Sequence, residues 1–337
     1  MEEIMGTAKV SIIVPVFNMK ELLKKCIDSI LHQSYTNIQI VIVDDGSKDG
    51  SKEVADKYAM QDRRVSVVHH SANKGIACGV QTGLRTAVGD FVMFVDSDNT
   101  ISSVMIERLL KYQEQYDADV VQCDVICYKN KDENYLYSGD SDLTGELDVI
   151  LENQSIRQDF LKSKTITNNL AAKLFKRSLF SEIEIPDGRQ IVDVIILPQI
   201  LKKSSKYVCI TDKLYYAYQP GDSVSRRPIS NWRIDDLIYG NEFYERFIND
   251  NWKECKQYIP YHKLLMSLWA YSGILLNNNI IRRDEYLDFF YKEIKDNYRE
   301  VRKGEYYEII TIKDKIKLLI LLISRNIYDV IVIKRHL

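Results

Sequence analysis

Short apolar runs alternate with amphipathic stretches from Val10 to Tyr128. Val10-Ser-Ile-Ile-Val-Pro-Val16 is apolar and rich in β-branched residues, which predicts a buried strand. Between Glu21 and Gln33, the residues Leu22, Leu23, Cys26, Ile27, Ile30 and Leu31 recur at helical spacing. Ile38-Gln-Ile-Val-Ile-Val43 predicts a second strand, stopped by the turn-forming Asp44-Asp-Gly-Ser-Lys-Asp-Gly50. A helix over Ser51 to Met60 follows, then a strand over Val65 to Val68. Lys74 to Val88 reads as a helix loosened by Gly75, Gly79 and Gly83. Phe91-Val-Met-Phe-Val95 is a fourth strand, ending in Asp96-Ser-Asp-Asn99. Ser102 to Tyr116 predicts another helix, and Val120 to Ile126 another strand. Such alternation implies an α/β fold with a mostly parallel sheet covered by helices on both faces.

Beyond Tyr128 the pattern is less regular. Asn168 to Phe180 reads as a helix, followed by a loop at Pro186-Asp-Gly188. Asp193 to Leu201 reads as a helix interrupted or begun near Pro198. Tyr207 to Thr211 and Leu214 to Tyr218 read as two paired strands. From about Ser230 the pattern is helical to the end. A loop over 221–230 marks the boundary between an α/β domain, 1–229, and a helical domain, 230–337.

Composition narrows the function. The 46 basic and 48 acidic residues leave a net charge of -2, which excludes a dedicated nucleic-acid binder with its basic face. The six cysteines are scattered, and Cys123 and Cys127 have no second close pair to complete a zinc site. Free, mostly buried thiols in a reducing compartment are expected. Glu2 and Glu3 precede a strand-like run rather than a signal-peptide core, so a cytoplasmic protein is expected. The 22 tyrosines suit either a packed core or carbohydrate surfaces.

One segment near the C-terminus is strongly apolar, yet too short to span a bilayer. Ile316, Leu319, Ile320, Ile323, Ile327 and Ile331 fall on one helical face, among Lys313, Lys315, Lys317, Arg325, Lys334 and Arg335. Such a helix can lie on the inner face of an anionic membrane, pack in a core or join a homodimer.

Two acidic clusters sit at predicted strand ends, where open parallel sheets bind ligands. In Asp96-Ser-Asp98 two carboxylates at a turn can aim at one point, a hard oxygen site suited to Mg2+ or Mn2+. Asp44-Asp45 forms a second cluster in the same sheet. Acids crowded at one crevice repel unless a cation or ligand donors offset them. Asp193 stands alone in an apolar run, which fits either a helix N-cap or a general base with a raised pKa.

Taken together these runs resemble the family 2 glycosyltransferases, with their Rossmann-like GT-A fold. The resemblance rests on the opening strand Val10 to Asn18, on Ser29-Ile-Leu-His-Gln-Ser34, and on Val41-Ile-Val-Asp-Asp-Gly-Ser47. It continues through Asn73-Lys-Gly75, Ala87 to Asp98, Ala172-Lys-Leu-Phe-Lys-Arg177, Leu214 to Tyr218 and Ser223-Val-Ser-Arg226. It implies a metal-dependent, inverting transfer of sugar from a UDP-sugar to a hydroxyl of a growing glycan. The acceptor could be lipid-linked or a glycoprotein, in surface-polysaccharide or teichoic-acid synthesis.

The resemblance also implies roles. Pro15 and Phe17 would border the uracil, with Asn18 close by, and Asp45, with Asp44, would accept from its N–H. Asn73, Lys74, Ser97, Ser223 and Arg226 would contribute to the nucleotide-sugar site, the last two over the diphosphate. Asp96 would lie near ribose and metal, Asp98 would be the principal metal ligand, and Asp193 the catalytic base. Three positions depart from the family pattern: Asn99 replaces a final acid, Val192 stands where Glu often precedes the base, and Gly79-Val-Gln81 replaces Ala-Arg-Asn. These departures motivate an alternative, a non-catalytic sugar-nucleotide or glycan-binding subunit. A phosphorylation receiver is disfavoured because its acidic pair follows the first strand, and a dinucleotide oxidoreductase because no Gly-x-Gly-x-x-Gly follows it.

Overall fold

The structure, a computed structural model, describes residues 8–129, 146–219 and 229–334. It divides into two compact units, residues 1–223 and 224–337.

In the first unit, β1 (Val10–Val16), α1 (Lys20–Leu31), β2 (Ile38–Asp44), α2 (Ser51–Gln61), β3 (Val65–His69), α3 (Ile76–Thr86) and β4 (Phe91–Phe94) alternate as the sequence implies. They build the parallel half of one sheet, in the order β3-β2-β1-β4. β5 (Thr100–Ile101), α4 (Met105–Tyr116), β6 (Val120–Tyr128), β7 (Leu147–Glu152), α5 (Gln154–Lys162), β8 (Lys173–Lys176), α6 (Asp193–Lys203) and β9 (Lys206–Tyr218) complete the unit. β8 runs antiparallel between β4 and β6, β9 pairs parallel with β6, and β5 and β7 add antiparallel edges on β9.

Alternation along β1 sends side chains to both faces. Val10, Ile12 and Val14 join Ile40 and Ile42 under Leu23, Ile27 and Ile30 of α1 and Met105, Ile106 and Leu109 of α4. On the opposite face α3 lies close to the sheet. A Cβ added at Gly83 would sit 2.3 Å from Ile13 Cγ2, and one at Gly79 would sit 3.4 Å from Pro15 Cβ. Gly83, one of the glycines that weaken this helix in sequence, therefore sets its approach to β1, while Gly79 makes an ordinary contact.

Four expectations need correction. Asn168 to Phe180 is not a helix. Ala172 has a left-handed φ of 59°, and β8 follows it, then a single 3-10 turn over Arg177–Phe180. β8 is buried on both faces, so its residues lack the period-2 signature of a strand. The two strands expected between Tyr207 and Tyr218 are one strand, β9. Its polar centre at Asp212 is fully buried and paired to Arg108 of α4 at 2.8 Å, which absorbs the charge that looked like a break. Asp193 is the first residue of α6 rather than its cap, which is Val192, and Pro198 lies within the helix. Finally, the apolar segment near the C-terminus is two helices, separated at the extended Ser324.

The second unit contains α7 (Asn231–Asn251), α8 (Tyr258–Leu275), α9 (Arg283–Val301), α10 (Tyr306–Ile309), α11 (Ile312–Ile323) and α12 (Arg325–Lys334). α8 is apolar around its circumference and buries Ile259, Leu264, Leu268, Tyr271 and Ile274, as a central helix must. Tyr271 OH donates to Asp329 and accepts from Arg325, both at 2.8 Å, which holds α12 to α8. Tyr207, Tyr215, Tyr216, Tyr271 and Tyr328 are all buried, so these tyrosines serve the core. All six cysteines are free thiols, four of them buried. Among the described residues, no helix is long and apolar enough to cross a membrane.

Close packing at Gly83 and open packing at Gly79 predict opposite responses to alanine. Gly83→Ala forces Ile13 to move, and the overpacking, about 1–3 kcal/mol, exceeds the helix-propensity gain of about 1 kcal/mol. Gly79→Ala keeps the propensity gain. Urea unfolding should show the first variant destabilised and the second equal to or above the parent.

Candidate active site

Chain order reverses beside β1, whose neighbours are β2 on one side and β4 on the other, and ligand crevices form at such switch points. The residues after β1, β2 and β4 meet there. Asn18 has a left-handed φ of 53°, a conformation its short polar side chain tolerates. Its N–H donates to Ser47 Oγ at 2.9 Å, and its Oδ1 accepts from Lys48 N–H at 2.9 Å. The loops after β1 and β2 are thereby clasped. Phe17 beside them is 43% exposed, a flat apolar ring at the strand end.

Asp44 and Asp45 are buried, and each is engaged. Asp44 accepts from Ser47 N–H at 3.1 Å and pairs with His69 Nδ1 at 2.9 Å. His69 Nε2 reaches Asp56 at 2.9 Å. Burial opposes the charge on His69, but the hydrogen bonds and charges of Asp56 and Asp44 hold its pKa above the ordinary value. Asp45 Oδ1 takes His70 Nδ1 at 2.7 Å and Lys74 N–H at 2.9 Å, and its Oδ2 takes Gly75 N–H at 2.8 Å. A carboxylate has about four acceptor positions, so roughly one is left for a ligand. Gly46, with φ of 74°, lets the second loop touch the third, since a Cβ there would sit 2.7 Å from the Ala72 carbonyl carbon. Asn73 and Lys74 are exposed beside this contact and line a groove with Cys78, Asp187 and Gln190.

Asp96 follows β4. Its Oδ2 accepts from Asn99 Nδ2 at 3.1 Å and from Tyr215 OH at 3.3 Å. Asn99 Oδ1 accepts from Tyr218 N–H at 2.9 Å. Asn99 thus donates to Asp96 and accepts from β9 at once, so the departure from the family pattern has a structural use. Asp96 and Asp98 keep solvent access while protein atoms crowd around them, as on the floor of an open crevice. Burial raises the Asp96 pKa against the Tyr215 and Asn99 donors. Burial, with the charge of Asp96, pushes Asp98 up to about 6.

Asp193 opens α6, where the helix dipole favours an anion. Burial and the charge of Asp96 nevertheless raise its pKa to about 7, against the opposing influence of Lys173. The charge of Asp96 therefore acts on both Asp98 and Asp193. Val192 and Val80, at the other departures, are buried apolar residues. Ser97 is buried beside Asp96, and Pro15 is half-buried against α3. Ser223 and Arg226 lie outside the described residues. Among the described residues, no group of three His, Cys, Asp or Glu side chains is arranged to hold a metal by itself.

Sequence reasoning missed His69, His70, Tyr215 and Lys173. The two histidines had a signal: they end and follow β3, a third parallel strand end, in a chain with five histidines.

Residues 11–184 match the family profile described as Glycosyl transferase family 2. Over 274 residues the chain is 32% identical to Glycosyltransferase GlyG of Streptococcus pneumoniae, covering 76% of this chain and 90% of that one. Glycosyltransferase GlyA of the same organism is 31% identical over 232 residues, 66% of this chain but 32% of its own length. Among solved structures, S. aureus TarS 1-349 in complex with UDP-GlcNAc aligns with a TM-score of 0.57 at 17% identity, covering 86% of this chain and 89% of that one. The mannosyltransferase PcManGT from Pyrobaculum calidifontis, in complex with GDP-Man and Mn2+, aligns at 0.52 and 16% identity, covering 88% and 86%. These structural likenesses establish the GT-A-like fold.

The Asn99 bridge predicts that restoring an acid will harm the free protein. Asn99→Asp removes the donor to Asp96 and places a second carboxylate against it. The expected loss is about 1–3 kcal/mol, read as a melting temperature lower by roughly 2–10 °C. An unchanged melt would show that the bridge is not needed.

Proposed function

The chain belongs to glycosyl transferase family 2 and is a glycosyltransferase, and on that premise we propose that it moves a sugar from a UDP-sugar to a hydroxyl of a growing glycan with inversion. The observation that carries this reading is the exposed Asp96 after β4, held by Asn99 and Tyr215, with its charge acting on both Asp98 and Asp193. Phe17 and Pro15 offer an apolar border for the base, and Asp45 a remaining acceptor for its N–H. The UDP-GlcNAc held by TarS supports the choice of nucleotide.

Asp193 takes the proton of the acceptor hydroxyl. The acceptor oxygen then forms a bond to the anomeric carbon from the face opposite UDP, and the bond from that carbon to the diphosphate oxygen breaks with its electron pair. A positioned base contributes about 10²–10⁴-fold. Burial of Asp193 brings its pKa near neutrality, where such a base is most useful.

Asp98 and Asp96 fit a hard divalent cation, Mg2+ or Mn2+, because two crowded carboxylates with raised pKa values gain from a positive neighbour. Bound there, the ion would offset charge growing on the departing diphosphate. With two protein carboxylates, most of its coordination would be left to donor phosphates and water. The Mn2+ in PcManGT supports this assignment.

The acceptor side of the reading rests on α11 and α12. Ile312, Ile316, Leu319, Ile323, Ile327 and Val330 are all more than half exposed and recur every three or four residues across both helices. Lys313 and Lys334 are exposed at the two ends of this stripe. Aliphatic side chains flanked by lysines complement the apolar interior and negative headgroups of an anionic membrane. On this reading the enzyme works at the membrane surface, on a lipid-linked glycan.

A screen of UDP-sugars and GDP-sugars with Mn2+ or Mg2+, read as nucleotide release, tests the reaction. Asp193→Asn should lose at least about 100-fold in turnover while UDP still binds by calorimetry. In the parent enzyme turnover should fall with pH at or somewhat below about 7, as Asp193 gains its proton and any cation at Asp96 relieves part of the repulsion. Full turnover in excess chelator would exclude the metal.

Flotation with phosphatidylglycerol and phosphatidylcholine vesicles tests the membrane surface. The chain should float with the anionic vesicles only, and Leu319→Glu with Ile323→Glu should abolish it. A concentration-dependent dimer lost in the same variant, without flotation, would assign the stripe to self-association instead.

A further inference from the structure

β2 and β3 end side by side, with Asp44 opposite His69 in the parallel register. One residue further along each chain stand Asp45 and His70. Two consecutive acids therefore meet two consecutive histidines, and because successive side chains point opposite ways they sort into separate pairs. His69 has a carboxylate on each ring nitrogen, Asp44 and Asp56. His70 is held differently. Its Nδ1 lies 2.7 Å from Asp45 Oδ1, and its Nε2 lies 2.9 Å from Thr82 Oγ1 of α3. Its backbone N–H donates to Asp44 O at 2.9 Å, so main chain and ring are both anchored.

The partners fix the direction of each bond. A carboxylate only accepts, so His70 Nδ1 carries a hydrogen and donates it to Asp45. In the neutral ring Nε2 is then an acceptor, and the Thr82 hydroxyl donates to it. The side chains of His70 and Asp45 are each 8% exposed, so water competes little for the bond between them.

The acceptor positions of Asp45 can then be assigned one by one. Oδ1 receives two donors, His70 Nδ1–H and Lys74 N–H, and is full. Oδ2 receives one, Gly75 N–H, and keeps one position open. Removing the imidazole would open a position on Oδ1 as well and let the carboxylate turn toward the vacated space. Thr82 precedes Gly83, whose close approach to Ile13 seats α3 on the sheet. The orientation of Asp45 is thereby tied to the packing of that helix.

We propose that His70 is a positioning residue for donor recognition: backed by Thr82, it saturates Asp45 Oδ1 and so leaves Oδ2 as the acceptor for the ring N–H of the nucleobase. The proposal rests on the reading that Asp45 faces the base. It assigns a ligand chemistry. Uracil carries a hydrogen on the ring nitrogen between its two carbonyls and can donate it. Cytosine has a bare, accepting nitrogen at that place, so its lone pair would face that of Asp45. The pair of His70 and Asp45 therefore separates UDP from CDP. It touches neither the acceptor hydroxyl nor the bond that breaks, so its effect falls on donor binding rather than on turnover.

Calorimetric titration with UDP and with CDP, each with Mn2+, tests the proposal. The parent should favour UDP by about 100-fold or more. His70→Phe keeps a planar ring without a donor. It should weaken UDP binding by about 10-fold, shrink the preference over CDP by a similar factor, and raise the donor KM while kcat stays within about threefold. His70→Asn places an amide N–H near the position of Nδ1 and should restore most of the preference. Thr82→Val should shift affinity and preference in the same direction as His70→Phe, by less. A lower melting temperature in His70→Phe with parental UDP affinity and preference would make the histidine purely structural and overturn the proposal. Should His70→Phe not fold, a parental preference in Thr82→Val would overturn it. Asp45→Asn is measured first. A parental preference in that variant would bring down the reading of Asp45 itself, whereas a loss there beside unchanged His70 variants would sink the role of His70 alone.

Discussion

Mutual repulsion among carboxylates is the constraint around which the first unit is arranged. The charge of Asp96 acts on two other acids, Asp98 and Asp193. The fold answers with neutral donors and distant charge. Tyr215 and Asn99 turn hydrogens toward Asp96, and Lys173, whose charge acts on Asp193, is itself buried. A lysine placed directly in the crevice would form tight ion pairs with the acids and block a metal or substrate. Keeping the compensation neutral or remote leaves the crevice hungry for a cation while allowing the empty protein to fold.

Much of this was legible in the sequence, because the parallel half of the sheet is locally consistent. β1, β2 and β4 are short β-branched runs ending in Asp, Gly or Asn, and each ends where the apolar pattern stops. The antiparallel half was read less well for a physical reason. β8 has no solvent face, so periodicity carries no information there, and β9 hides a charge whose partner, Arg108, lies 104 residues away. Ion pairs over such separations leave no local trace. The acids of the crevice were found because strand ends are readable; their neutral partners were not, since Tyr215 and Lys173 sit in elements whose type was misjudged or whose side chains look ordinary.

The departures from the family pattern look different once the partners are known. Asn99 is a better neighbour for Asp96 than an acid, because an amide donates on one side while accepting on the other. Val192 and Val80 occupy apolar surroundings in which a lone charge would be unsupported. Asn99 and Val192 stand where the family pattern has acids and so reduce negative charge, whereas Val80 stands where it has Arg and removes a positive one.

The grip of Asp45 on the Lys74 and Gly75 amides, with Gly46 pressed against Ala72 and Asn18 clasped to Ser47 and Lys48, joins three strand-end loops into one wall. On the proposed reading, a nucleobase resting there would meet backbone held in place before it arrives and would lose little ordering entropy on binding. On the same reading, selectivity for the base resides in the remaining acceptor of Asp45, which this wall holds in place. The sugar and acceptor ends of the crevice, shaped by side chains, are free to diverge one residue at a time.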